Sequence, residues 1–324
     1  MESIAIIIPF CGIPRRSFDL FLESCKRNLT IDWFFFLDFE IDNSESNIHT
    51  YKITLESLEK RAQEKVYDKA QLKRPYKLCD YKPFYGLMFE KELKDYDWWG
   101  YGDTDVIYGD IRGCFENIDK YNIDKINWWG HLCLMRNTKG CKELCLHEVD
   151  GLTSYKQVLE SEANLGYDER DFNEKVIAAG KHIYTGRWAA DIDCFYKRMR
   201  CVDMNTIVNL CRVRRPEYAP VNYRRQLFVS LDGHIFQYYI AHRKIERQEF
   251  AYIHFRKEVP IKVDEKESDF IISRDGFFEL KNEDDLNNKK SFKALVQKYN
   301  GQEGALKELA RFLYYTLAIR IKKI

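Results

Sequence analysis

Five consecutive apolar residues, Ile4 to Ile8, stopped by Pro9, constrain the fold more than any other stretch of the chain. A continuous run rich in β-branched residues, rather than an alternating one, is the pattern of a strand buried on both faces, as in a parallel sheet. Phe10, Gly12 and Pro14 supply a turn after it. Residues 17–28 then place Phe18, Phe21, Leu22 and Cys25 on one helical face, and Trp33 to Leu37 make a second buried strand ending at Asp38. This strand, turn, helix, strand opening predicts an α/β protein. In open α/β sheets ligands sit beyond the carboxyl ends of the strands, where Gly12 and Asp38 both fall.

Further on, the pattern predicts helices over 55–69, 84–93 and 171–179 and a strand over 128–135. It predicts a hairpin of 227–231 with 233–239 around Asp232-Gly233, and a last core strand over 250–255. After residue 257 the character changes to short strands, a polar connector over 281–290 and an amphipathic helix over 307–324. The expected organisation is therefore one domain over 1–257 and a small extension over 258–324. In the terminal helix Lys307, Arg311, Arg320, Lys322 and Lys323 oppose only Glu308, a composition suited either to an anionic membrane surface or to packing on the protein body.

With 45% apolar and 32% charged residues and a net charge of +1, the chain is expected to be globular, with no basic excess pointing to nucleic acid. Its ten cysteines show no CxxC spacing. Cys141, Cys145 and His147 come nearest to a zinc set but lack a fourth ligand at a suitable spacing. Reduced thiols are expected, and with them a cytoplasmic protein. The run from Ile4 to Ile8 is too short for a signal segment, and no stretch approaches a membrane span.

The sharpest chemical signal is Asp103-Thr104-Asp105, directly after the apolar strand at Trp98 to Gly102. Two carboxylates one residue apart on such a turn can hold a hard divalent cation, which can neutralise charge on a departing phosphate. Aspartates at strand ends also simply cap turns. The surroundings add weight: Ile6-Ile-Ile-Pro-Phe-Cys-Gly12, Phe36-Leu-Asp38, Tyr76-Lys-Leu-Cys-Asp-Tyr-Lys-Pro83, Trp99-Gly-Tyr-Gly-Asp-Thr-Asp105 with Gly109-Asp110, Trp129 to Asn137, Tyr167-Asp-Glu169 and Tyr252-Ile-His-Phe-Arg-Lys257. In this order, from residue 4 to about 257, the chain resembles the bacterial GT-A glycosyltransferases of capsule and O-antigen (surface polysaccharide) synthesis.

That resemblance implies a GT-A fold, Rossmann-like with a mostly parallel central sheet flanked by helices. It implies a nucleotide-sugar donor, with UDP-sugar the expected one, and Mn²⁺ or Mg²⁺ held by Asp103, Asp105 and His254. It also implies a glycan or lipid-linked glycan acceptor, with possible peripheral membrane contact through 307–324 at the inner face of the membrane. His254 has the alternative of a packed core histidine. Pro9, Phe10, Gly12 and Asp38 are candidates for the base and ribose. Lys77, Asp80 and Lys82, with Asp103, Arg256 and Lys257, are candidates for the diphosphate and sugar. His131, Arg136 and Asn137 either line the sugar pocket or make structural hydrogen bonds. Among Asp168, Glu169 and Asp171, Glu169 is the choice for activating the acceptor hydroxyl, with Asp191 next and Asp193 behind it; the same acids also suit a helix N-terminus. A sugar nucleotidyltransferase, a glycoside hydrolase and a non-catalytic GT-A-like carbohydrate-binding protein are the competing readings.

Overall fold

The structure, a computed structural model, describes residues 2–115, 122–186, 189–193, 198–202, 221–256, 258–260, 269–301 and 310. Its strands are β1 (Ile4–Phe10), β2 (Asp32–Leu37), β3 (Ile48–Lys52), β4 (Trp98–Gly102), β5 (Val106–Tyr108), β6 (Lys125–Ile126), β7 (Leu132–Arg136) and β8 (Ile183–Tyr184), then β9 (Ala189–Ile192), β10 (Gln226–Leu231), β11 (His234–Ala241), β12 (Lys244–Phe250), β13 (Tyr252–Phe255), β14 (Phe270–Ser273) and β15 (Gly276–Glu279). The chain forms two compact units, one of Met1–Pro14, Asn28–Thr104 and Asn117–Gly186, the other of Arg15–Arg27, Asp105–Glu116 and Arg187–Ile324.

The first unit is built on a seven-stranded sheet in the order β3-β2-β1-β4-β7-β6-β8. Strands β3, β2, β1 and β4 run parallel, β7 is antiparallel to β4 and β6, and β8 is parallel to β6. This is the expected α/β class with a mostly parallel centre. The two-residue period of the strands puts Ala5 and Ile7, Phe34 and Phe36, Trp99 and Tyr101, and Cys133 and Met135 into one core. Leu58 and Ala62 of helix α2 (Leu55–Lys65) join them, and Thr54 caps that helix by accepting from the backbone of Ser57. The helix expected over 84–93 is instead two single turns, Tyr85–Met88 and Glu90–Leu93, interrupted at Phe89, whose φ of −114° and ψ of 29° leave the helical region.

The second unit holds a three-stranded sheet, β5-β13-β9, and a five-stranded antiparallel sheet, β12-β11-β10-β14-β15. The hairpin between β10 and β11 turns at Asp232 and Gly233, both with positive φ, as a two-residue Asp-Gly turn requires. Strand β14 pairs with β10, so the break expected at residue 257 is not a boundary: the short strands after it complete a sheet begun before it. The expected polar connector ends in a helix, Lys289–Tyr299, capped by Asn288 and burying Phe292 and Val296 against Leu227, Val229 and Ile271. Lys257 and residues 307–324, apart from Ala310, lie outside the described residues. No described helix is long and apolar enough to cross a membrane.

Candidate functional site

In the first unit the strand order reverses between β1 and β4, and the crevice beyond the carboxyl ends at such a switch is where open α/β sheets place ligands. Asp103 follows β4 there, and its N–H donates to the His131 carbonyl at 3.1 Å, extending the β4–β7 pairing by one step. Gly12 follows β1, with φ at +114°, and donates to both carboxylate oxygens of Asp38 at 3.1 and 3.0 Å. Because a side chain strains this φ whatever the room around it, Gly12→Ala should lower stability by about 1–3 kcal/mol in urea denaturation. Pro9 and Phe10 end β1 half-buried, Phe10 with its ring edge-on to Phe39.

Lys82 is the hub of this end. Its ammonium lies 2.6 Å from Asp103, 3.1 Å from the Gly130 carbonyl and 3.4 Å from Asp168. Burial alone would lower its pKa, but the charges of Asp103 and Asp168 outweigh that and raise it. Asp168 goes the other way: burial pushes its carboxyl up to about 7, against the pull of Lys82. A Cβ on Gly130 would come within 2.2 Å of Asp168, so that glycine is what lets the loop close over the pair. Glu169 is half-exposed; its carboxylate accepts from the Gly130 N–H at 3.1 Å and lies 3.6 Å from the His131 ring. Lys82, Asp103, His131, Asp168 and Glu169 thus form one cluster.

Other expected residues are placed elsewhere. Lys77 and Asp80 are interior, paired at 2.8 Å, and Asp80 also accepts from the backbones of Leu165 and Tyr167 while Lys77 donates to the Ala163 carbonyl. They brace the loop leading to Asp168 and do not fit donor contact. The expected strand over 128–135 begins only at Leu132, because Asn127, at φ 73°, turns the chain into the loop around Lys82. Antiparallel β7 then sets Leu132 opposite Gly102 but Arg136 opposite Trp98, so Arg136 and Asn137 lie at the amino end of β4, away from Asp103. Arg136 stacks on Trp98 and Asn137 donates to the Leu93 and Tyr96 carbonyls, both structural roles. Asp171 accepts from the Thr153 N–H. The Cys141 thiol faces Asp124 and that of Cys145 the Lys142 carbonyl, so the two do not converge on one ion.

In the second unit, β13 pairs His254 with Val106 of β5 on one side and Asp191 of β9 on the other. His254 is buried, 7% exposed. Its Nδ1 lies 2.8 Å from Asp191 and its Nε2 3.4 Å from Asp105. Burial would push the imidazole down, but the hydrogen bonds to the two carboxylates and their charges hold it up, at about 10. Arg256 grips Asp191 through two nitrogens, and Arg15 pairs with Asp105 at 3.0 Å while also donating to the Phe255 carbonyl. Asp191 is thereby occupied in orienting His254 and Arg256, which disfavours the expected role as a base. Asp193 donates its N–H to the Arg200 carbonyl and accepts from Arg274 through its own.

The donor set fits a divalent cation. Carboxylate oxygen and imidazole nitrogen suit Mn²⁺. Two ligand atoms about 2.2 Å from one ion at a right angle are about 3.1 Å apart, close to the 3.4 Å between Asp105 and His254. A carboxylate on the far nitrogen, here Asp191, is the usual support of a metal-bound histidine. Arg15, close to Asp105, has no motif in the sequence that ties it to that aspartate.

Comparison with solved structures finds loose likenesses. A glycosyltransferase involved in glycosylation of the major capsid of PBCV-1 shares 10% identity over 58% of this chain and 84% of its own, with a TM-score of 0.33. The galactosyltransferase LgtC, in complex with donor and acceptor sugar analogues, shares 11% over 78% and 87%, with a TM-score of 0.36. Mouse xyloside xylosyltransferase 1 shares 10% over 60% and 89%, also at 0.36. No curated protein sequence matches. A profile of the family of unknown function DUF6625 matches residues 6–281, most of the chain, and the chain belongs to that family.

Proposed function

We propose that this protein is a metal-dependent glycosyltransferase that moves a sugar from a nucleotide-sugar donor, a UDP-sugar, to a glycan or lipid-linked glycan acceptor in surface polysaccharide synthesis. The observation that carries the reading is His254 held between Asp105 and Asp191, a carboxylate–histidine–carboxylate line that suits a cation. Asp105 and His254 are the proposed ligands, with Asp103 two positions before Asp105 in the chain. A divalent ion held there would offset the charge that develops on the departing nucleotide diphosphate. Asp191 would keep Nδ1 protonated and so turn Nε2 toward the ion. Gly12 and Asp38 would face the nucleoside, and Lys82 would hold Asp103 in place. Glu169, half-exposed with its neighbour Asp168 buried, is the proposed group that takes the acceptor proton.

UDP is expected to raise the melting temperature only when Mn²⁺ is present; equal shifts in Mn²⁺ and in EDTA would overturn the metal-dependent reading. Asp191→Asn should weaken Mn²⁺ binding about 10- to 100-fold, measured by electron paramagnetic resonance titration of free Mn²⁺. Unchanged affinity would remove Asp191 from the role of positioning residue.

A further inference from the structure

Beyond that site, the second unit gathers another set of unlike ligating groups at the opposite end of β5. Asp105 precedes this strand and Asp110 follows it, at most about 16 Å further along an extended chain. Asp110 caps the single helical turn Ile111–Cys114, its Oδ1 accepting from the Gly113 N–H at 2.8 Å. His234, first in β11, sets Nδ1 2.6 Å from Glu249 of β12. One ligand atom from each of Asp110, His234 and Glu249 lies within 4.8 Å of the others. We propose that these three residues form a second divalent-cation site, suited to zinc.

Several features favour an ion over a plain surface pair. The His234 ring stacks nearly parallel on Phe236, which fixes the direction of its nitrogens. Two carboxylates meet around one imidazole, while Arg247, lying over the Phe236 ring and donating to the Tyr238 hydroxyl, is also held charged in part by Glu249. Both carboxylates lie near Cys114: burial first, then the charges of Glu249 and Asp110, push its thiol up to about 12. Carboxylate oxygen and imidazole nitrogen are both zinc ligands, and three of them, partly open to water, leave a fourth position for solvent. A bound ion would tie the end of β5, already held by the Gly109 N–H to the Ala251 carbonyl, to the β11–β12 hairpin.

The test counts zinc per chain after dialysis, by elemental analysis, with melting temperature as a second readout. Asp105→Ala removes the proposed catalytic ion and should leave one zinc equivalent and a zinc-dependent rise in melting temperature. Adding His234→Asn and Glu249→Gln should remove both. In the otherwise unaltered protein the same pair of substitutions should lower the count by one, which keeps the test valid if Asp105→Ala folds poorly. A zinc count unmoved by the pair, or no zinc retained by folded Asp105→Ala protein, would overturn the proposal. Neither result depends on whether Asp105 serves a glycosyltransferase.

Discussion

Asp105→Ala is expected to lower Mn²⁺-dependent release of sugar from a UDP-sugar by about 10³-fold, the scale of losing one preorganised charge-stabilising group from an active site. The fold should survive. Asp105 pairs with a partly exposed Arg15, and such pairs contribute about 1 kcal/mol or less. His254 keeps its bond to Asp191. Turnover and urea denaturation measured on one preparation separate the two effects. Turnover within a few-fold of the unaltered protein, with the fold intact, would remove Asp105 from the reaction.

The largest effect on stability is expected from Lys82→Met. The ammonium is buried between Asp103 and Asp168, and removing one partner of a buried ion pair costs about 3–5 kcal/mol. The loss should depend on pH. The Asp168 carboxyl has its ordinary value of 3.8 when unfolded and about 7 when folded. Between those values the folded state keeps a proton that the unfolded chain has released, so this group's contribution to stability is full below 3.8 and is lost as pH rises through about 7. Without Lys82 the folded value moves higher and the window widens, so the variant should lose more at pH 8 than at pH 6. Asp168→Asn should flatten the slope. An equal loss for Lys82→Met at both pH values would contradict the burial of Asp168 as the cause.

Much of the central sheet could be read in the chain itself. Ile4 to Ile8 and Trp33 to Leu37 are continuous apolar runs because parallel strands are covered on both faces, and Asp232-Gly233 marks its hairpin by the two positive φ values it adopts. The helix Lys289–Tyr299 was hidden because its charged face dominates the composition and only Phe292 and Val296 are buried. In the sequence, Asp103 and Asp105 stand out as a motif after an apolar strand, and His254 as a candidate only through the family resemblance. The roles of Asp191 and Asp80 are not legible there, because they depend on which backbone and which ring each carboxylate meets across long stretches of sequence. Lys82 and Lys77 are the same residue type five positions apart; only the fold shows one facing Asp103 and the other bracing a loop.

The second unit takes helix α1 (Phe18–Arg27), whose Leu20 joins a core made otherwise from Ile107 and residues beyond 189. During translation that helix leaves the ribosome long before most of these partners exist. At roughly 5–20 residues per second, its greasy side waits on the order of ten seconds or longer for β13 to be made. Nascent chains stalled in that interval should be held by chaperones and should precipitate readily, and any truncation that stops before β9 should leave that helix covered in this core by β5 alone.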